Sequence, residues 1–202
     1  MPPSEKGTAT RARMVESMLE LIQSHGYCGT GTTTMLEHAG APKGSMYFHF
    51  PGGKEQIAEQ AIAVAGERFH DMITGLVEEG MPPGQLLARL IDTLASLLAD
   101  SDYQLGCPVS VVTLEVGASN ARLREACASA YASWIGPLAD YLASRGMPGE
   151  RALDLAATIV STVEGAMIVS RANRHTDPLR RAARVLGPLL DSEAHHPQEK
   201  KS

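Results

Sequence analysis

Residues 33–50 read TTMLEHAGAPKGSMYFHF, and the fold turns on them. The stretch 33–39 reads as one short helix, with Thr33 placed to serve as its N-cap. Gly40-Ala41-Pro42 breaks the chain. Residues 43–49 read as a second short helix that stops at Phe50-Pro51-Gly52-Gly53. A short helix, a tight turn at a glycine and a second short helix have the outline of a helix-turn-helix. In that arrangement the second helix lies in the major groove of duplex DNA. Lys43 and Ser45 at its start then reach base edges or phosphates, with Tyr47, His49 and Lys54 as flanking phosphate donors.

Helical periodicity continues on both sides. Met14, Val15, Met18, Leu21 and Ile22 form one stripe over residues 9–25, with Thr8 or Thr10 as a cap and Gly26 as the terminating C′ glycine. Ile57, Ala61, Ala65, Phe69, Met72, Ile73 and Leu76 follow the same period over 54–78. Leu87, Leu90, Ile91, Leu94, Leu97 and Leu98 follow it over 85–99. Residues 107–117 (CPVSVVTLEVG) would suit a buried strand, but a lone strand has nothing to pair with. A short helix with Pro108 at its first position is expected instead. Asn120 caps a helix running to Arg145, where Gly136-Pro137 is expected to kink it. Further helices are expected over 150–173 and from Asp177 onward, with the polar stretch from 192 to 202 as a frayed tail.

The chain has 202 residues, 44 % of them hydrophobic and 20 % charged, as in a folded globular chain. Its net charge of −5 excludes a coat held on nucleic acid by bulk positive charge. The charge is uneven. Lys6, Arg11, Arg13, Lys43 and Lys54 outnumber Glu5, Glu16, Glu20 and Glu37 in the first 54 residues, and residues 38–54 contain no acid. No apolar run uninterrupted by charge reaches the roughly 18 residues of a spanning helix, so no membrane partner is expected. The N-terminus lacks the apolar core of a secretory signal. Cys28, Cys107 and Cys127 are odd in number and far apart. That argues against a disulfide framework or a zinc site and fits reduced thiols in the cytoplasm.

Enzyme signatures are missing from the sequence. Gly26, Gly29 and Gly31 have the wrong spacing for a dinucleotide loop and follow a helix, not a strand. Gly53-Lys54 lacks the other parts of a P-loop, and neither G-x-S-x-G nor H-E-x-x-H occurs. The histidines are dispersed. No catalytic activity, metal or cofactor is expected.

One resemblance is specific. Ala39-Gly40-Ala41-Pro42-Lys43-Gly44-Ser45-Met46-Tyr47-Phe48-His49-Phe50, followed by Lys54-Glu55-Gln56-Ile57, resembles the signature of tetracycline-repressor (TetR) family regulators. Residues 41–45 and 50–54, Gly106-Cys107-Pro108-Val109 and Leu114-Glu115 resemble the branch that includes lincomycin-resistance and flavonoid-responsive repressors. Three positions depart from the pattern. Pro42 stands where many members have a capping Ser, Thr32 where an apolar residue is common, and Phe48 where close relatives carry His or Tyr.

The periodicity gives an all-α chain of about nine helices, and the resemblance agrees with it. The resemblance implies that a DNA-binding domain over 1–53 precedes a ligand-binding and dimerisation domain over 54–191. DNA contacts are expected from Thr33, Thr34, Lys43, Gly44, Ser45, Tyr47, His49 and Lys54. A small-molecule site is expected from Phe69, Tyr103, Cys107, Val111, Tyr131, Trp134, Glu164, Met167 and Arg171, with Leu90 and Ile135 close by. Glu164 has three readings: a buried acid for a polar ligand group, a partner of Arg171, or a solvent-facing side chain. A homodimer is expected through Ala156, Val160, Val163, Leu179, Leu186 and Leu189, although an ordinary core would use the same residues. The function implied is a repressor released from a pseudo-palindromic operator by a small molecule. Its alternatives are an activator, a regulator controlled by a protein partner, and a helical ligand-binding protein with a vestigial DNA head.

Overall fold

The computed structural model describes residues 5–195. Residues 196–202 of the expected tail lie outside the described residues, as do residues 1–4; residues 192–195 are helical. Among the described residues there are nine α-helices, one 3-10 turn and no strand. These are α1 (Glu5–Gly29), α2 (Thr32–His38), the 3-10 turn Lys43–Ser45, α3 (Met46–His49), α4 (Gly53–Glu78), α5 (Pro83–Asp100), α6 (Pro108–Val116), α7 (Ala121–Ser144), α8 (Gly149–Asn173) and α9 (Asp177–His195).

Local chemistry sets most of the boundaries. Asn120 caps α7 as expected, its Oδ1 accepting the Leu123 N–H at 2.9 Å. Gln56 reaches back from the first turn of α4 to accept the Gly52 N–H at 3.0 Å. Pro108 opens α6. Two expectations are corrected. Thr8 and Thr10 lie inside α1, which begins before them. The N-cap of α2 is Gly31, with no side-chain cap, so Thr33 is a helical residue. The helix α7 runs through Pro137 as one element.

Two units emerge from the packing. One runs to Gly66 and takes in Cys107–Ala130; the other comprises Glu67–Gly106 and the chain from Tyr131 onward. This packing boundary does not follow a cut at residues 53 and 54, because α6 packs on α1. In the first unit Met14, Met18 and Ile22 on α1 are fully buried, as are Met35, Phe50, Ile57 and Ile62. In the second unit Leu87, Leu90, Ile91, Leu94 and Leu98 of the α5 stripe are buried while Leu97 is exposed, and Trp134, Leu138 and Leu142 of α7 and Leu155, Ile159 and Val163 of α8 are buried with them.

In the second unit α5 and α9 approach closely at two glycines. A Cβ at Gly84 would lie 2.9 Å from the Gly187 carbonyl oxygen. Asp191 of α9 accepts the Gly84 N–H at 2.8 Å, placing a carboxylate at the positive end of α5. Helix α8 has the length and hydropathy of a membrane span, with a mean of 1.6 over its most apolar window. Three of its charges, Glu150, Arg151 and Asp154, lie in the first turns, and Glu164 and Arg171 follow further along. The same helix packs on α9 as a core helix does.

Candidate nucleic-acid interface and ligand core

The turn between α2 and the 3-10 turn is made by Gly40, whose φ of +58° places it in the left-handed region. Its N–H bonds to Glu37 O at 3.1 Å, and the Ala41 N–H to Leu36 O at 2.9 Å. Arg13 of α1 donates from Nε to Ala39 O at 3.1 Å, tying α1 to the end of α2. The following reading segment has two sides. Met46 and Phe50 face inward and are buried. Lys43, Gly44, Tyr47 and Phe48 face outward. Tyr47 is 66 % exposed and Phe48 81 %. Ser45 Oγ donates to Pro42 O at 2.7 Å, and no side-chain N-cap replaces the one missing at Pro42. His49 is half-buried, its ring edge-on to Phe48 at 5.0 Å between centroids. Thr33 and Thr34 are exposed at the start of α2.

Lys54 is held differently from the other candidates. Its Nζ donates to Tyr27 O at 2.7 Å and sits 4.1 Å from the Tyr27 ring centroid. Burial pushes the Lys54 pKa down, while Cys28 and Glu115 nearby oppose the shift. Burial raises the Tyr27 pKa, with Glu55 and Cys28 adding to it. Lys54 therefore braces the start of α4 against the end of α1. A second brace comes from α6: Glu115 Oε2 accepts the Cys28 N–H at 2.9 Å.

Within the second unit a small cavity is lined by Phe69, Leu90, Trp134, Leu138, Ile159, Val160, Val163 and Glu164. It measures about 10 Å³, no more than the space one water needs. The Trp134 ring packs against Phe69 at 4.6 Å and edge-on to Tyr131 at 5.2 Å. The other candidates are dispersed. Tyr103 stacks with Arg174, and Arg171 donates to Gln104 O at 2.8 Å. Cys107 and Val111 belong to the first unit. Met167 is half-buried on α8.

The candidate interface residues also divide. Ala156, Val160, Val163 and Leu179 are buried within the chain's own core, and Leu186 is half-buried. The helical period turns a different face outward: Thr158, Ser161, Gly165, Ile168 and Ala172 on α8. On α9 Val185 is 71 % exposed, beside the exposed Leu189.

Residues 16–61 match the family model of bacterial regulatory proteins of the tetR family. Residues 83–185 match that of the LmrA/YxaF-like transcriptional regulator C-terminal domain. The chain belongs to the TetR family. It is a transcriptional regulator of the helix-turn-helix type. An uncharacterized HTH-type transcriptional regulator of Mycobacterium tuberculosis H37Rv, Rv0196, is 37 % identical over 91 % of this chain and 95 % of its own. The HTH-type transcriptional regulator LmrA of Bacillus subtilis is 29 % identical over 90 % of this chain and 96 % of its own. A crystal structure of a TetR regulator from Chloroflexus aurantiacus superimposes with a TM-score of 0.79 at 26 % identity, covering 94 % of this chain and 98 % of that one.

For a TetR-family chain, the sequence located the reading segment well and the braces behind it poorly. Arg13 reads as a bare positive charge until its bond to Ala39 is seen. Asp191 reads as the polar end of a leucine-rich helix. Neither carries a local signal, because each partner lies far along the chain.

Proposed function

We propose that the protein is a homodimeric repressor that acts in the cytoplasm. Its outward face at Lys43, Gly44, Tyr47 and Phe48 enters the major groove, with Ser45, His49, Thr33 and Thr34 at the flanks. The observation that carries this is the two-sidedness of the reading segment. Met46 and Phe50 are fully used inside, and the outward face lies in an acid-free stretch of an otherwise acidic chain. Lys54 supports the face from behind through Tyr27. A domain boundary near residue 53 separates this reading role from the ligand and dimer roles of residues 54–191.

Operator binding by full-length protein tests the reading. A footprint upstream of the protein's own gene supplies the duplex. Lys43→Ala and Tyr47→Ala are each expected to weaken binding without changing the melting curve, since both side chains are exposed. Lys43→Ala also lowers the salt slope of binding by about one unit if it neutralises one phosphate. Unchanged affinity in both variants would remove them from the interface.

Two copies are required because a pseudo-palindromic site presents half-sites about 34–36 Å apart. The outward face of α8, small at Ser161 and Gly165, allows close helix approach, and Val185 and Leu189 of α9 add apolar area. Val185→Glu is expected to sediment as a monomer at concentrations where the parent protein is a dimer. A parent protein that is itself monomeric would sink the two-half-site model.

A small molecule enters at the Trp134 cavity and separates Phe69 of α4 from α8. The same helix α4 carries Lys54 and Ile57 in the first unit, so displacing Phe69 alters the support of the reading segment. Ligand and DNA then weaken each other's binding by one common factor. An occupied cavity with unchanged operator affinity would refute this coupling.

A further inference from the structure

Phe48 is the most exposed large apolar side chain among the described residues, at 81 %. A single exposed phenylalanine on a protein surface is ordinary and needs no explanation. The position of this one sets it apart. It lies on the reading segment, whose other outward groups are Lys43, Gly44 and Tyr47. Lys43 and Tyr47 carry hydrogen-bond donors suited to phosphates or base edges. Phe48 carries none, so it forms no bond of that kind.

Its neighbours leave the ring open. One helical turn upstream is Gly44, where an added Cβ would meet nothing within 4 Å. No side chain at that position screens the Phe48 ring from the outward side. On the inward side Met46 and Phe50 already fill the core, and the ring touches His49 edge-on at its base. An apolar group carried into the major groove meets one apolar feature on the base edges, the 5-methyl of thymine.

We propose that Phe48 is a specificity-determining residue that selects a thymine in each operator half-site through its 5-methyl group. The assignment rests on the reading of this face as the DNA-contacting one. It also gives a physical content to the departure at this position, where His or Tyr is replaced by a ring without a donor. A donor there serves any sequence by bonding phosphate, whereas a bare ring gains only where a methyl group is present.

The test uses full-length protein and duplexes selected by it from a random-sequence pool. Each thymine of the selected half-sites is replaced singly by deoxyuridine, which removes only the methyl group. Binding is read by fluorescence anisotropy for the parent protein and Phe48→Ala. One thymine per half-site is expected at which methyl removal weakens the parent protein about four-fold, the effect of burying one such group. Phe48→Ala should bind the thymine duplex about four-fold more weakly and be indifferent to deoxyuridine at that position. Its melting curve should match the parent's, because the ring is exposed. A parent protein indifferent to every deoxyuridine substitution would overturn the assignment. So would a Phe48→Ala variant that keeps the full penalty, which would place the ring on the sugar-phosphate backbone. A parent protein that selects no duplex at all would overturn the DNA-contacting reading beneath it, a different and recognisable failure.

Discussion

Truncating Trp134 to alanine is expected to lower the unfolding free energy by about 3–5 kcal/mol, measured by urea titration followed by circular dichroism. Trp134 is 2 % exposed and heads the large side chains that are fully buried. Its ring is in contact with Phe69 and Tyr131, and it walls a cavity of about 10 Å³. The site is already tight, so the loss is felt as a new hole and not as the enlargement of an old one. Helices α4, α5, α7 and α8 all contribute to the wall, and each is anchored elsewhere, which limits collapse. The hole should be dry and apolar on most sides, and such holes bind small aromatic molecules. Added indole is therefore expected to raise the urea midpoint of Trp134→Ala and leave that of the parent protein unchanged. A loss below about 1 kcal/mol would mean that the four helices close over the gap. The cavity would then be a poor place for an inducer, because it would yield to its own walls before admitting a ligand.

The contrast between this core and the reading segment shows what a sequence exposes. The helix-turn-helix is local: Gly40, Pro42 and the spacing of Met46 and Phe50 lie within a few residues of one another, so pattern alone places them. The stripes of α4 and α5 are equally local, and the structure buries Ile57, Ala61, Leu87 and Leu94 as the period requires. By residue type Thr33 is a better cap than Gly31, yet Gly31 is the N-cap of α2. A cap, however, is chosen by where the preceding chain turns. The interface candidates on α8, Ala156, Val160 and Val163, share one helical face, and that face turns into the chain's own core. Ala156 and Val160 point into the core, whereas Ser161 and Gly165, of similar size, point out. Composition gives the helix its ability to pack closely, and only a three-dimensional core decides which side does so inside the chain. Most of the ligand candidates stand out in the sequence by size, aromaticity or charge. Phe69, Trp134 and Glu164 do converge, but Cys107 and Val111 serve the first unit, since α6 packs on α1. No periodicity in the sequence carries that long-range choice.

Gly26 is a further case, and it leads to an effect nearly as large as that of Trp134. As a sequence feature it reads as the glycine that ends the first helix. In the structure the chain turns helical again after it, up to Gly29, and Gly26 itself has φ 79° and ψ 165°. That combination is almost confined to glycine, unlike the left-handed helical region that Gly40 occupies at φ 58°. A Cβ at Gly26 would also collide with the Glu115 carboxylate from α6, the group that accepts the Cys28 N–H at 2.9 Å. The carboxylate is the far end of a flexible side chain and can swing away, but the Cys28 amide then loses its partner. Backbone strain is thus the larger part of the effect and the displaced brace the smaller. Gly26→Ala is expected to destabilise the protein by about 3 kcal/mol, against about 1 kcal/mol for Gly40→Ala, where a Cβ meets nothing within 4 Å. A double-mutant cycle separates the two parts. Glu115→Ala removes the obstacle, so the loss from Gly26→Ala in that background should fall by a measurable fraction of the total. An undiminished loss would assign the whole effect to the backbone and leave Glu115 as a brace for Cys28 alone. Equal losses at Gly26 and Gly40 would show instead that the chain around Gly26 relaxes into an ordinary left-handed turn, with the two parts of α1 rejoined differently.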